Sequence, residues 1–141
     1  QDWGIASEVW SATSYSELAR DAAEVERWNR LHPLDPQPRQ SHVQQCLAGD
    51  APVIAASDYV RAWPQLVASY VDAPFTAMGT DGFGRSDTRA ALRRFFEVDR
   101  HQIVLAALTA LRAQGVVDAS TCARAIERHG IDAGRGPSWT V

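Results

Sequence analysis

Residues 79–87 read Gly-Thr-Asp-Gly-Phe-Gly-Arg-Ser-Asp and bring three glycines, two carboxylates and a guanidinium into nine positions. Glycine permits positive φ and close backbone approach, so the amides near Ser86 and Asp87, with Arg85 beside them, are candidates to receive a phosphate or carboxylate. The spacing is not that of a dinucleotide-binding G-x-G-x-x-G, and no phosphate-loop lysine follows. A glycine-rich turn packed against a neighbouring domain is the simpler reading. Thr80, Asp81, Gly82, Phe83, Gly84, Arg85, Ser86 and Asp87 are thus interface or anion-binding candidates. Within the turn, Asp81, Arg85 and Asp87 are expected to form an ion-pair network rather than an acid–base group, since ion pairs perturb charges without chemistry attached. Phe83, between two glycines, is expected to insert into a neighbouring domain or subunit.

Few other residues have the types and spacing that chemistry needs. His42 and Cys46 stand one helical turn apart, but no second pair at ligand spacing accompanies them. His101 and His129 have no nucleophile motif beside them, and His32, next to Pro33, reads as a helix-end residue meeting the dipole. Cys122 reads as a small core residue. Trp10, Trp28 and Trp63 are expected as core or interface anchors. No catalytic, cofactor-binding or metal-ligating residue is therefore assigned.

Composition narrows the classes further. All 14 residues in the lysine-plus-arginine count are arginine, which excludes a Schiff-base lysine or serine–lysine chemistry in this chain. Net charge is -3 and the longest basic cluster is Arg93-Arg94, so neither nucleic acid nor a membrane is an expected partner. The 141 residues, 45% hydrophobic, suit one domain. With no long apolar run and only two cysteines, the expectation is a soluble, cytoplasmic chain with reduced thiols.

Alternating elements must position the glycine turn. Residues 1–4 look like the last turn of a helix closed by glycine, and residues 5–13 are β-rich. Ser14 and Glu17 form a capping-box pattern before a helix to about Leu31, and three prolines hold the next connection in an extended path. A short helix at 41–48 precedes a strand at 51–57. Asp58 can cap a helical stretch in which Pro64 either kinks one helix or begins a second segment at its first position, and both readings turn Leu66, Val67 and Tyr70 inward. A third strand at 74–80 leads into the glycine turn, and Ser86 or Asp87 can cap the next helix. Asp99 caps a longer one, with Ile103, Ala107, Leu108 and Leu111 on one face, and Ser120 caps the last, closed by Gly130. The order β-α-α-β-α-β-α-α-α predicts an α/β fold, a three-layer α/β/α arrangement around a mostly parallel sheet. Three strands make that sheet thin, and a leading strand and most of the first helix are expected to be absent from this chain.

Several long motifs carry a family resemblance. "SEVWSATSYSELARDAAEVERWNRLHP", "APVIAASDY", "GTDGFGRSDTR" and "FFEVD" resemble, in the same order as here, the end of the homodimeric type of pyruvate dehydrogenase, the decarboxylating component of the bacterial pyruvate dehydrogenase complex. Transketolase is a more distant relative and fits "RWNRLHP" and "FGRSD" less well. The resemblance implies most of a transketolase-like C-terminal third domain, spanning residues 1–141, in a thiamine-diphosphate enzyme. It implies oxidative decarboxylation of pyruvate with reductive acetylation of a lipoyl group. Thiamine diphosphate and Mg2+ would be bound by other domains, leaving this chain inactive alone and its role structural and dimer-supporting. The implied partners are the remaining domains, a homodimer mate and the dihydrolipoyl acetyltransferase core. The tail "GRGPSWTV" departs from the family's usual ending. The competing reading is a free-standing interaction or anion-binding regulatory domain, and a third is transketolase-like ketol transfer.

Overall fold

The computed structural model describes residues 3–140. Helix α1, Tyr15–Leu31, starts where Ser14 Oγ accepts the Glu17 amide. Only half of the expected box forms there, because the Glu17 carboxylate turns to Arg20 instead. The complete box belongs to α2, His42–Cys46, where Ser41 and Gln44 satisfy each other's backbone donors. Strand β1 is Val53–Ala56, α3 is Ala62–Gln65, and a 3-10 turn at Ala68–Tyr70 follows. Then come β2, Phe75–Met78; α4, Arg89–Phe95; α5, Arg100–Ala113; α6, Ala119–His129; and a 3-10 turn at Ser138–Thr140.

β1 and β2 pair in parallel, with Val53 opposite Phe75 and Ala56 opposite Met78. Val53 and Phe75 pack on a cluster formed by Ala22 of α1, Val43 of α2, Val67, Val71 and Ala73. On the other side, Thr76 and Met78 border a groove of about 500 Å³ whose far wall is Leu105, Ala106 and Ala110 of α5. Helices thus stand on both faces of the strand pair, as expected for an α/β domain. A second cluster, Leu108, Cys122 and Ala125, joins α5 to α6 and takes in Trp3 and Ile5.

Several expectations change. Residues 5–13 are extended but form no strand among the described residues: Val9 is 94% exposed and Trp10 58%. β-propensity measures fit to a pleated surface, and here no neighbouring strand supplies the ladder. The described sheet therefore has two strands, not three. Pro64 neither kinks one long helix nor opens a second segment at its first position: it is the third residue of the four-residue α3, which gives way to 3-10 geometry. Asp58 caps nothing there, and Leu66 is exposed while Val67 is buried. α4 is capped by Thr88, not by Ser86 or Asp87, and α6 by Asp118 rather than Ser120. On α5, Leu108 is buried as expected, and Val104 and Leu105 pack with it on the second cluster, while Ile103, Ala107 and Leu111 are half-buried. Gln1 and Asp2, read as part of a helix end, lie outside the described residues; Gly4 has φ +67°.

The proline connection is pinned from α1. Asn29 both donates to the Arg39 carbonyl and accepts the Arg39 amide, each at 2.9 Å. His32 stacks on Trp28 at 3.7 Å, and the Arg39 guanidinium lies 3.5 Å from a Trp28 ring centroid.

Candidate functional site

The glycine turn leaves the carboxyl end of β2 beside the exit of β1, because parallel pairing brings both exits to one end of the sheet. Gly79 is buried, and a Cβ there would stand 2.2 Å from the Arg61 amide nitrogen and 2.6 Å from the Tyr59 carbonyl oxygen. No side chain fits. The Thr80 amide donates to the Tyr59 carbonyl at 2.9 Å, and Thr80 Oγ1 donates to the Asp58 carbonyl at 2.9 Å. Asp81 accepts the Arg61 amide at 3.2 Å and the Arg61 Nε at 2.5 Å, making a half-buried ion pair between the two exits.

The chain's tail closes the third side. Ser138 Oγ donates to the Asp81 carbonyl at 2.8 Å, and the Arg61 guanidinium lies over the Trp139 ring at 4.7 Å. Gly82, at φ +120°, faces the Ser138 carbonyl, where a Cβ would come within 3.0 Å. Two reasons for glycine therefore coincide at Gly82, conformation and space.

Beyond Gly82 the turn is open. Phe83 is 82% exposed. Arg85 stacks on Phe95 at 4.3 Å, and Arg135 approaches the same ring at 4.7 Å while Arg135 Nη2 donates to the Phe95 carbonyl at 2.8 Å. Asp87 accepts the Thr88 amide at 2.7 Å, and Thr88 Oγ1 accepts the Ala91 amide. Asp81, Arg85 and Asp87 thus take separate partners rather than forming a network with one another, because the turn spreads them along the rim. Gly84 and Ser86 are exposed. A second ion pair ties the site down: Asp58 accepts Arg93 of α4 at 3.0 Å, and that hydrogen bond holds the Asp58 carboxyl below the usual carboxylate range.

Sequence reasoning found the turn and missed what holds it. Arg61, Ser138 and Trp139 lie 18 or more residues from the turn and belong to no motif; only the close spacing of two strand exits could have flagged Arg61. His42 and Cys46 do meet, Cys46 Sγ lying 3.4 Å from His42 Nε2. His101 and His129 stack at 4.4 Å beside Trp3. Among the described residues no group of three or more His, Cys, Asp or Glu side chains gathers as a metal site.

Residues 1–99 match the family model of the transketolase-like TK C-terminal domain. Among curated proteins, the chain is 50% identical over 93% of its length to a protein named pyruvate dehydrogenase E1 component in Pseudomonas aeruginosa. It is 47% identical over 94% to the one so named in Cupriavidus necator, and 46% identical over 94% to that of Escherichia coli. The chain spans 15% of the length of each of these three relatives.

Proposed function

The chain belongs to the transketolase-like TK C-terminal domain family, and on that premise we propose that it serves as most of the C-terminal domain of a homodimeric, cytoplasmic pyruvate dehydrogenase. The observation that carries this reading is the 50% identity, over 93% of the chain, to a relative of that name. The proposed whole enzyme decarboxylates pyruvate oxidatively, uses thiamine diphosphate and Mg2+, and passes the acetyl group to a lipoyl group on the acetyltransferase core. The described residues do not fit the diphosphate–metal group. They gather no metal-ligating set, Asp81 is taken up by Arg61, and Asp87 by the Thr88 amide. On this reading both cofactors belong to other domains of the longer protein.

Its contribution is shape. Residues 80–87 present a preformed rim to those domains, fixed from below by Gly79 and from the side by the tail. The open edges of the two-stranded sheet and the exposed Val9 and Trp10 support a larger domain with at least one further strand beside these. Among the described residues no helix is long and apolar enough to cross a membrane.

The test uses the full-length protein that carries this chain, loaded with thiamine diphosphate and Mg2+. Pyruvate-dependent acetylation of a lipoyl acceptor is the expected result. Turnover of a ketose phosphate without pyruvate turnover would move the protein to transketolase chemistry, and neither activity would leave a binding role.

A further inference from the structure

Five exposed apolar side chains surround the glycine turn on three separate segments. Tyr59, Val60 and Trp63 leave β1, Phe83 stands at the tip of the turn after β2, and Trp139 lies in the tail. The three segments that carry them are tied together: the Thr80 amide donates to the Tyr59 carbonyl, the Arg61 amide to the Asp81 carboxylate and the Ser138 hydroxyl to the Asp81 carbonyl, while the Arg61 guanidinium lies over Trp139. Four of the five are aromatic, the composition that concentrates binding energy at interface centres. An apolar surface on a backbone this constrained loses little conformational freedom when it is covered.

We propose that Tyr59, Val60, Trp63, Phe83 and Trp139 form the face that docks a further domain of the same longer polypeptide, one apolar at its centre with carboxylates along one margin. The proposal rests on the reading that the chain works as part of a longer protein, and it names the surface used and the chemistry of the partner. Two observations choose that occupant. The relatives carry more than six times this chain's length, so most of such a polypeptide lies outside it. Residues 79–96 hold four arginines against two aspartates; Arg93 is paired with Asp58 and Asp81 with Arg61, while Arg85 and Arg89 are exposed on the segment that carries Phe83. A second copy meeting this face across a twofold axis would set arginine against arginine; a domain bearing carboxylates would not.

The experiment is hydroxyl-radical footprinting of the full-length protein, read by mass spectrometry, with each residue's oxidation rate in the native protein divided into its rate in the denatured protein. Tyr59, Trp63, Phe83 and Trp139 should be protected about tenfold, as expected for a dry interface centre, while Leu34 stays near unity. Protection at all four no greater than at Leu34 would overturn the proposal. So would protection lost on dilution together with a halving of mass, which would make the partner a second copy. Pyruvate turnover is measured on the same sample. Protection without turnover removes the enzymatic reading and leaves the docking face; turnover without protection removes the face alone.

Discussion

Gly79 is the position where space leaves the sequence least choice. The three nearest atoms that a Cβ would strike, the Arg61 amide nitrogen and Cα and the Tyr59 carbonyl oxygen, are backbone at a hydrogen-bonded strand exit, so none can swing aside. Gly79→Ala should therefore destabilise the protein by about 3 kcal/mol, the upper end for overpacking, read as a lower urea midpoint at unchanged slope. Gly84→Ala, with nothing within 4 Å of its would-be Cβ, should be nearly neutral in the same measurement. Asp118 yields a pH prediction. Hydrogen bonds from the Ser120 hydroxyl, the Thr121 amide and the Thr121 hydroxyl hold its pKa at about 2, against an ordinary 3.8. A depressed carboxylate stabilises the fold fully above its unfolded pKa and loses that effect as pH falls through the folded one. Hydrogen-exchange protection of α6 should accordingly decline between about pH 4 and pH 2, and Asp118→Ala should flatten that decline. An equal decline in the variant would assign it to other groups. At this scale the sequence reveals glycines well and partners badly: three glycines in six residues announce a turn, whereas Arg61 and Trp139 carry no sign of the contact they make.

Elements were legible where a local rule decided them. Ser14, Ser41 and Asp99 all sit at helix starts because a short side-chain oxygen can reach an amide two or three residues on. Where two such residues compete, sequence alone does not choose. Ser86, Asp87 and Thr88 are all competent, and the cap falls to Thr88 because Asp87 is turned onto the Thr88 amide. Residues 5–13 mark the other limit, since whether an extended run becomes a strand depends on a neighbour its own side chains do not encode. The end of α4 carries the third prediction. Glu97 has φ +58°, the only non-glycine residue described with positive φ, and its amide closes onto the Arg94 carbonyl. A left-handed L-residue costs roughly 1–2 kcal/mol, and glycine's extra freedom in the unfolded chain offsets about half of the relief. Glu97→Gly should thus stabilise by about 0.5 kcal/mol in chemical denaturation. A loss of stability would mean that the Glu97 side chain contributes more than its backbone costs.

Two small clusters, rather than one continuous core, hold the molecule. The first lies between α1, α2 and one face of the sheet, the second between α5 and α6, and α5 also packs on β1 from the sheet's other side. Leu108, 2% exposed, anchors the second. Leu108→Ala should cost about 2–5 kcal/mol there, and amide exchange should show α5 and α6 opening before α1 and β1. Uniform loss of protection would mean that the clusters unfold as a unit. Alternation of strand and helix made this architecture legible, but its division did not show, because helical periodicity says which face is apolar and not what it faces. The five indoles are distributed over these parts. Trp3 reports on the α5–α6 cluster, Trp10 on the extended segment, Trp28 on the pinned proline connection, and Trp63 and Trp139 on the rim of the glycine turn. Trp28 lies between an imidazole and a guanidinium, whereas the two rim indoles face water. The molecule consequently carries its own optical readout: emission from Trp63 and Trp139 will shift to the blue when that rim is covered, with no dye attached.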